Sequence, residues 1–180
     1  SSSAASDVYK RQEMLLNTFA AIAQEESKSI SQNQRLSIVK RMEKGEYVAS
    51  KAPYGYRLVN KKLKIFKPEA EVVCWIFQAY LNGLSIKTIA DTLTAQGVPT
   101  RSGQEQWKAN TITYILTNEK YKGDALLQKS YTVDFLTKKV KTNEGKVPQY
   151  YVENNHPAII EPELFDFCLL YTSDAADEED

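Results

Sequence analysis

From Glu13 to Lys44 the chain runs without a glycine or a proline, and Gly45 follows. Proline removes a helix donor and glycine costs about 1 kcal/mol in a helix interior. An uninterrupted stretch of this length therefore reads as one long helix, with Gly45 as its C′ stop. Its halves differ. Leu15, Phe19 and Ile22, with Leu16, Ala20 and Ala23, recur at helical spacing in the first half. The second half, EESKSISQNQRLSIVKRMEKG, is polar, with sparse apolar positions at Ile30, Leu36, Val39 and Met42. A helix that begins buried and ends solvated and basic is expected to leave a core and cross something anionic. An amphipathic surface helix is the alternative, and the Leu15, Phe19 and Ile22 stripe suits self-association.

The two ends of the chain are related to each other. Residues 3–12, SAASDVYKRQ, back-translate to TCG GCA GCG TCA GAT GTG TAT AAG AGA CAG. The opposite strand of that DNA, read one base in, encodes LLYTSDAA, which is Leu169–Ala176. That DNA looks like a transposon-end sequencing adaptor. Residues 1–12 and 168–180 are therefore expected to be adaptor-derived and are set aside. The alternative is an acidic tail that binds a partner.

Removing those ends changes the charge. The whole chain balances 23 basic against 23 acidic residues. Two of the basic and six of the acidic residues lie in the ends, so Glu13–Phe167 carries +4. Lys28–Lys67 holds eleven Lys and Arg against Glu43 and Glu46, a local +9. Such a stripe is the electrostatic footprint of a nucleic-acid binder, although a solvated face is the commoner meaning of a charge run. No apolar run approaches the ~20 residues of a membrane span, and there is no signal-peptide pattern, so a cytoplasmic location is expected. With Cys168 assigned to the end segment, Cys74 in VVCWIF remains as a core thiol. One Cys and the single His, His156, cannot build a zinc site.

The rest punctuates cleanly. Residues 46–53 form an extended linker, since Pro53 biases Ala52 away from helix. YGYRLV and LKIF form a hairpin turned at Asn60-Lys61-Lys62. Pro68 fits the first helical position of PEAEVVCWIFQAYLNG, with Glu69 and Glu71 where the helix dipole favours them. This helix is expected to bury Val72, Val73, Ile76, Phe77 and Tyr80 and to stop at Gly83. Ser85 is the candidate N-cap of LSIKTIADTLTAQG, whose inner face is Ile86, Ile89, Ala90 and Leu93. After the loop VPTRSGQEQ and Trp107 comes KANTITYILTN, with Ile112, Ile115 and Leu116 inward. Lys108, Asn110, Thr111 and Tyr114 lead it or face outward. The two short helices form a helix-turn-helix-like pair with a long turn, a geometry that places a helix N-terminus in the major groove. Two packed helices without that role are the plain alternative. YKGDALLQKSYTVDFL and VPQYYVEN read as two strands separated by the polar turn TKKVKTNEGK, and a short helix begins near Pro162. His156 reads as a structural loop residue. The fold class is α+β, mainly helical: a helix-turn-helix-like domain with short β-hairpins over 54–167, preceded by the long helix over 13–45.

In this order, APYGYRL, PEAEVVCWIFQAYLNG, LSIKTIADTLTAQGVPT, Trp107 with ITYILTNEKYKGD, and HPAIIEPELF resemble the large serine recombinases, the site-specific integrases of phages and mobile elements. The resemblance covers almost all of Ala52–Phe167 and is to the DNA-binding domain of that family. FAAIAQEESKSISQNQRLSIVKRMEKG resembles the end of the helix that leaves the family's catalytic domain. The resemblance implies a parent that cleaves DNA with a serine hydroxyl, in a catalytic domain N-terminal to these residues. Ser27, Ser29 and Ser31 match no catalytic motif, so no catalytic residue is carried over. It also implies a zinc-binding domain after this region, whose Cys pairs are not among these residues, and so no cofactor here.

What the resemblance implies for this region is binding of double-stranded attachment-site DNA for strand exchange, with the parent acting as a homodimer or tetramer. Lys28, Arg35, Lys40, Arg41, Lys44 and Lys51 are expected mainly on phosphates, which position a protein without reading sequence. Arg57 and Arg101 can do either. Asn110 can pair bidentately with adenine, Lys108 can reach guanine, and Thr111 and Tyr114 share their helix. A stand-alone DNA-binding regulator and a self-association module remain as alternatives.

Overall fold

The computed structural model describes residues 2–47, 51–134 and 136–177. The linker positions 48–50 and the last three residues of the chain fall outside it. The chain divides into two compact units, residues 1–47 with 128–148, and residues 48–127 with 149–180.

The first unit is built on helix α1, Ser2–Glu43. At 1.5 Å per residue its 42 residues span about 63 Å. It ends as expected: Gly45 takes a φ of 69° and its N–H reaches the Met42 carbonyl. Its apolar first half is not buried, however. Leu15, Phe19 and Ile22 are 55%, 66% and 58% exposed. The other described part of this unit is a small hairpin that meets α1 further along, near Arg35, and leaves that stripe uncovered.

The second unit carries the core. Strands β1 (Tyr56–Val59) and β2 (Lys62–Ile65) pair antiparallel with Val59 opposite Lys62. Asn60 and Lys61 turn them with φ of 50° and 60°, the left-handed pair that a two-residue hairpin requires. Helix α2 (Lys67–Leu81) opens with Pro68 in its first turn and buries Val73, Ile76, Phe77 and Tyr80; Val72 is only partly covered. Helices α3 (Ile86–Ala95) and α4 (Ala109–Thr117) pack on each other and on α2. A 3-10 turn, Glu119–Lys122, leads to β3 (Ala125–Leu127). Helix α5 (Pro162–Asp177) packs back on α2 and α4. Phe77, Tyr121 and Phe165 stack at the centre, with ring centroids 6.4 and 5.9 Å from Phe77.

Two expectations need revision. The segment read as one strand over 121–136 is two, β3 and β4 (Ser130–Thr132), because Gln128 adopts a φ of 64° and breaks the ladder. The segment read as a polar turn contains β5 (Val140–Thr142), which pairs with β4, while β6 (Tyr150–Val152) pairs with β3. The cysteines also differ from expectation. Cys74 is half-buried, with Sγ 3.8 Å from the Ile159 carbonyl. Cys168, read as part of the end segment, is fully buried in the core, and Tyr171 meets Tyr80 edge to face at 5.8 Å.

His156 locks the end of the unit to its middle. One ring nitrogen, Nε2, lies 2.6 Å from the Lys120 carbonyl, and the ring stands edge-on to Tyr56 at 5.1 Å. Its backbone N–H reaches the carbonyl of Gly123, whose φ of 93° leaves no space for a side chain: a Cβ there would lie 2.8 Å from the His156 carbonyl oxygen. Burial holds the His156 pKa below the usual histidine range, against the hydrogen bond to Lys120 that raises it. The sign follows from linkage. With a folded pKa below the unfolded one, stability is complete above the unfolded value of about 6.5 and is lost as pH falls below it. Melting at pH 7.5 and at pH 5.5 is therefore expected to give a lower Tm in acid. A flat Tm across that window would remove the half-buried neutral imidazole from the account.

Candidate nucleic-acid interface

The α3–α4 pair is the best-defined surface. Ser85 caps α3 by accepting the Thr88 N–H at 3.1 Å. Ile89, Ala90 and Leu93 bury its inner face, and Ile112, Ile115 and Leu116 do the same for α4. Between the helices, Trp107 fixes the chain. Its indole N–H donates to the Val98 carbonyl at 2.8 Å, and its backbone N–H donates to the Thr94 hydroxyl at 2.9 Å. Its ring stands edge-on to Tyr54 at 5.1 Å.

The next residue, Lys108, is the N-cap of α4 and makes no side-chain cap bond. Its carbonyl accepts the Thr111 N–H at 2.9 Å, and its side chain stands at the positive end of the helix dipole. Lys108, Asn110, Thr111 and Tyr114 are all exposed there. Packing on one face and anchorage at Trp107 hold these four side chains on a helix with little freedom to shift.

Arg57 and Arg101 are not free side chains. Arg57 grips Glu69 through two nitrogens, at 2.7 and 2.8 Å, and lies 4.0 Å over the Phe66 ring. Arg101 approaches the same carboxylate at 3.5 Å and donates to the Tyr56 carbonyl at 2.9 Å. Glu69 also accepts the Gly55 N–H at 2.8 Å. Burial alone pushes the Glu69 carboxyl up, but the bonds from Arg57 and Gly55 and the charges of both arginines hold it below its ordinary value. The two arginines remain 39% and 41% exposed, so these pairs are worth only about 0.2–1 kcal/mol each. Their effect is positional: two guanidiniums sit around one carboxylate with a net positive charge.

Sequence reasoning placed Glu69 only in the helix dipole and missed this role. Arg57 lies on a hairpin and Glu69 on a helix, so no periodicity links them.

The first unit carries the other group. Lys28 is half-buried; Arg35, Lys40, Arg41 and Lys44 are exposed. Arg35 Nη2 donates to the Thr132 carbonyl at 2.6 Å. Lys40, Arg41 and Lys44 line a shallow groove with Asn33, Leu36, Ser37 and Glu46. Lys51 is exposed and belongs to the second unit. The residues expected at DNA thus lie partly on α1 in the first unit and partly in the second unit, at Lys51, Arg57, Arg101 and the start of α4.

Among the described residues no three His, Cys, Asp or Glu side chains converge on a metal position, and no helix is long and apolar enough to cross a membrane. Ser27 and Ser29 are exposed on α1 and Ser31 is half-buried.

The family model described as Recombinase matches residues 67–169. A Bacillus subtilis (strain 168) protein named "Putative DNA recombinase" is 27% identical over 159 residues, covering 82% of this chain and 32% of its own length. The chain therefore spans about a third of that relative. Two solved structures share the fold. One is described as a crystal structure of an LSR–DNA complex, with a TM-score of 0.56 and 23% identity over 80% of this chain and 38% of the other. The second, from work on sequence requirements of the Listeria innocua prophage attP site, gives a TM-score of 0.54 and 22% identity over 78% and 51%.

Proposed function

Because the chain belongs to the Recombinase family, we propose that it is the attachment-site DNA-binding region of a site-specific serine recombinase. The observation that carries this reading is the start of α4. A polar turn containing Lys108, Asn110 and Thr111 stands exposed on a helix whose other face is locked into the core and whose entry is pinned by Trp107. That is the arrangement a major-groove reader needs. Lys28, Arg35, Lys40, Arg41, Lys44 and Lys51 supply sequence-blind attraction to phosphates. The 13–45 segment would lead from a catalytic domain, 54–167 would hold the site, and the parent would work as a homodimer or tetramer in the cytoplasm, on the nucleoid. The two solved structures of the same fold include one described as a DNA complex, which supports the class of partner.

The test separates reading from gripping. A duplex site is first selected by the chain from a random-sequence pool. Asn110→Ala is expected to cost about 1–3 kcal/mol on the selected site and little on random duplex. Lys40→Ala is expected to weaken both alike and to lower the salt slope by about 0.9. Equal losses on both duplexes for Asn110→Ala would show that α4 is not the reader.

A further inference from the structure

The hairpin formed by β4 and β5 was not among the expected DNA contacts. Residues 128–148 hold five lysines, at 129, 138, 139, 141 and 146, against Asp134 and Glu144. Asp134 is committed to its own turn, accepting the Leu136 N–H at 3.0 Å and the Thr137 hydroxyl at 2.9 Å. Among the described residues no carboxylate pairs with Lys138, Lys139, Lys141 or Lys146. The hairpin is also rigid at its base. The Asn143 side chain, itself buried, donates to the Gln128 and Val147 carbonyls at 3.0 and 2.8 Å and accepts the N–H groups of Gly145 and Val147 at 3.1 and 3.2 Å. That is the full capacity of an amide side chain, which makes the base of the hairpin a closed polar knot.

Within the first unit this hairpin lies against the basic half of α1. Arg35 bonds the Thr132 carbonyl, and Lys28, Ser31, Gln32 and Arg35 share a groove with Val133 and Asp134. Chain segments about a hundred residues apart thus contribute to one cationic body. From Lys28 onward that unit holds ten Lys and Arg against Glu43, Glu46, Asp134 and Glu144, a net +6. Lys139 and Lys141 are two residues apart on the β5 side of the hairpin, where the Val133 N–H pairs with the Lys139 carbonyl and Tyr131 pairs with Lys141. Alternation puts both on one face, about 7 Å apart. Each DNA strand carries a phosphate charge per about 3.4 Å of axis, so two such cations can engage separate phosphates.

We infer that the β4–β5 hairpin is a second phosphate-gripping arm, acting with the basic half of α1 on the backbone of double-stranded DNA. The inference rests on the DNA-binding reading and adds to it a surface on the first unit. The hairpin gives affinity without sequence choice. Lys139 and Lys141 are exposed, so their truncation is expected to leave folding intact.

The test uses the full chain and a labelled random-sequence duplex of about 40 base pairs, titrated between about 50 and 200 mM salt. Lys139→Ala with Lys141→Ala is expected to lower the slope of log K against log salt by about 1.8, two phosphates' worth, with Tm unchanged. Lys10→Ala with Arg11→Ala removes the same charge from the exposed start of α1 and is expected to leave the slope unchanged. Lys139→Arg with Lys141→Arg is expected to keep it. An unchanged slope in the hairpin alanine variant, or an equal fall in the Lys10 and Arg11 variant, overturns the inference while the wild type still binds. Failure of the wild type to bind the duplex at the low-salt end overturns the DNA-binding reading itself.

Discussion

Trp107→Ala is expected to cost about 3–5 kcal/mol of stability, the range for truncating a buried large aromatic. The residue is 3% exposed, and its removal opens a void against Tyr54 while the Val98 carbonyl loses its indole donor. Urea unfolding followed by far-UV circular dichroism measures it, as a fall in midpoint at constant slope. A second consequence is functional. With the entry to α4 unpinned, Lys108, Asn110 and Thr111 lose their fixed placement, so discrimination between a selected site and random duplex should shrink. Binding to random duplex at low salt should persist, because the α1 cations are untouched. A loss under about 1 kcal/mol would show that Trp107 does not anchor the loop.

Phe77→Ala is expected to cost a similar amount, about 3–5 kcal/mol. Phe77 is fully buried between Tyr121 and Phe165, on the helix that α3, α4 and α5 all touch. Phe19→Ala supplies the contrast. The same side chain is 66% exposed on α1 and should lie within about 0.5 kcal/mol of wild type. Comparable losses at Phe19 and Phe77 would mean that the apolar stripe of α1 is covered in solution, as self-association would cover it.

Helices α2, α3 and α4 were legible because each announces itself locally. Pro68 and Gly83 bracket the first, Ser85 and Gly97 the second, and apolar residues recur every three or four positions in all three. The long helix was legible from the absence of breakers, but not its environment, since periodicity shows that a face is apolar without showing what covers it. The 121–152 region was misread because its strands are three residues long, too short for alternation to register, and because the break at Gln128 uses a left-handed residue that is not glycine.

At the site, the exposed residues of α4 followed from helical geometry. The Glu69 anchor of Arg57 and Arg101 did not, because it joins three segments by side-chain contact alone. The hairpin lysines were read only as part of a polar turn, TKKVKTNEGK. Their union with α1 depends on the Arg35 to Thr132 bond across 97 residues, which no local pattern records.

The most direct test is the salt dependence of duplex binding, combined with a cleavage assay on the same protein. Six phosphate-type cations, Lys28, Arg35, Lys40, Arg41, Lys44 and Lys51, give an expected slope of log K against log salt of about −5 or steeper. Binding should be tighter on a selected site than on random duplex, and incubation with supercoiled plasmid carrying that site should leave it unnicked, with no covalent adduct. Salt-independent binding, or none, would contradict DNA as the partner; nicking or an adduct would show a catalytic serine among these residues.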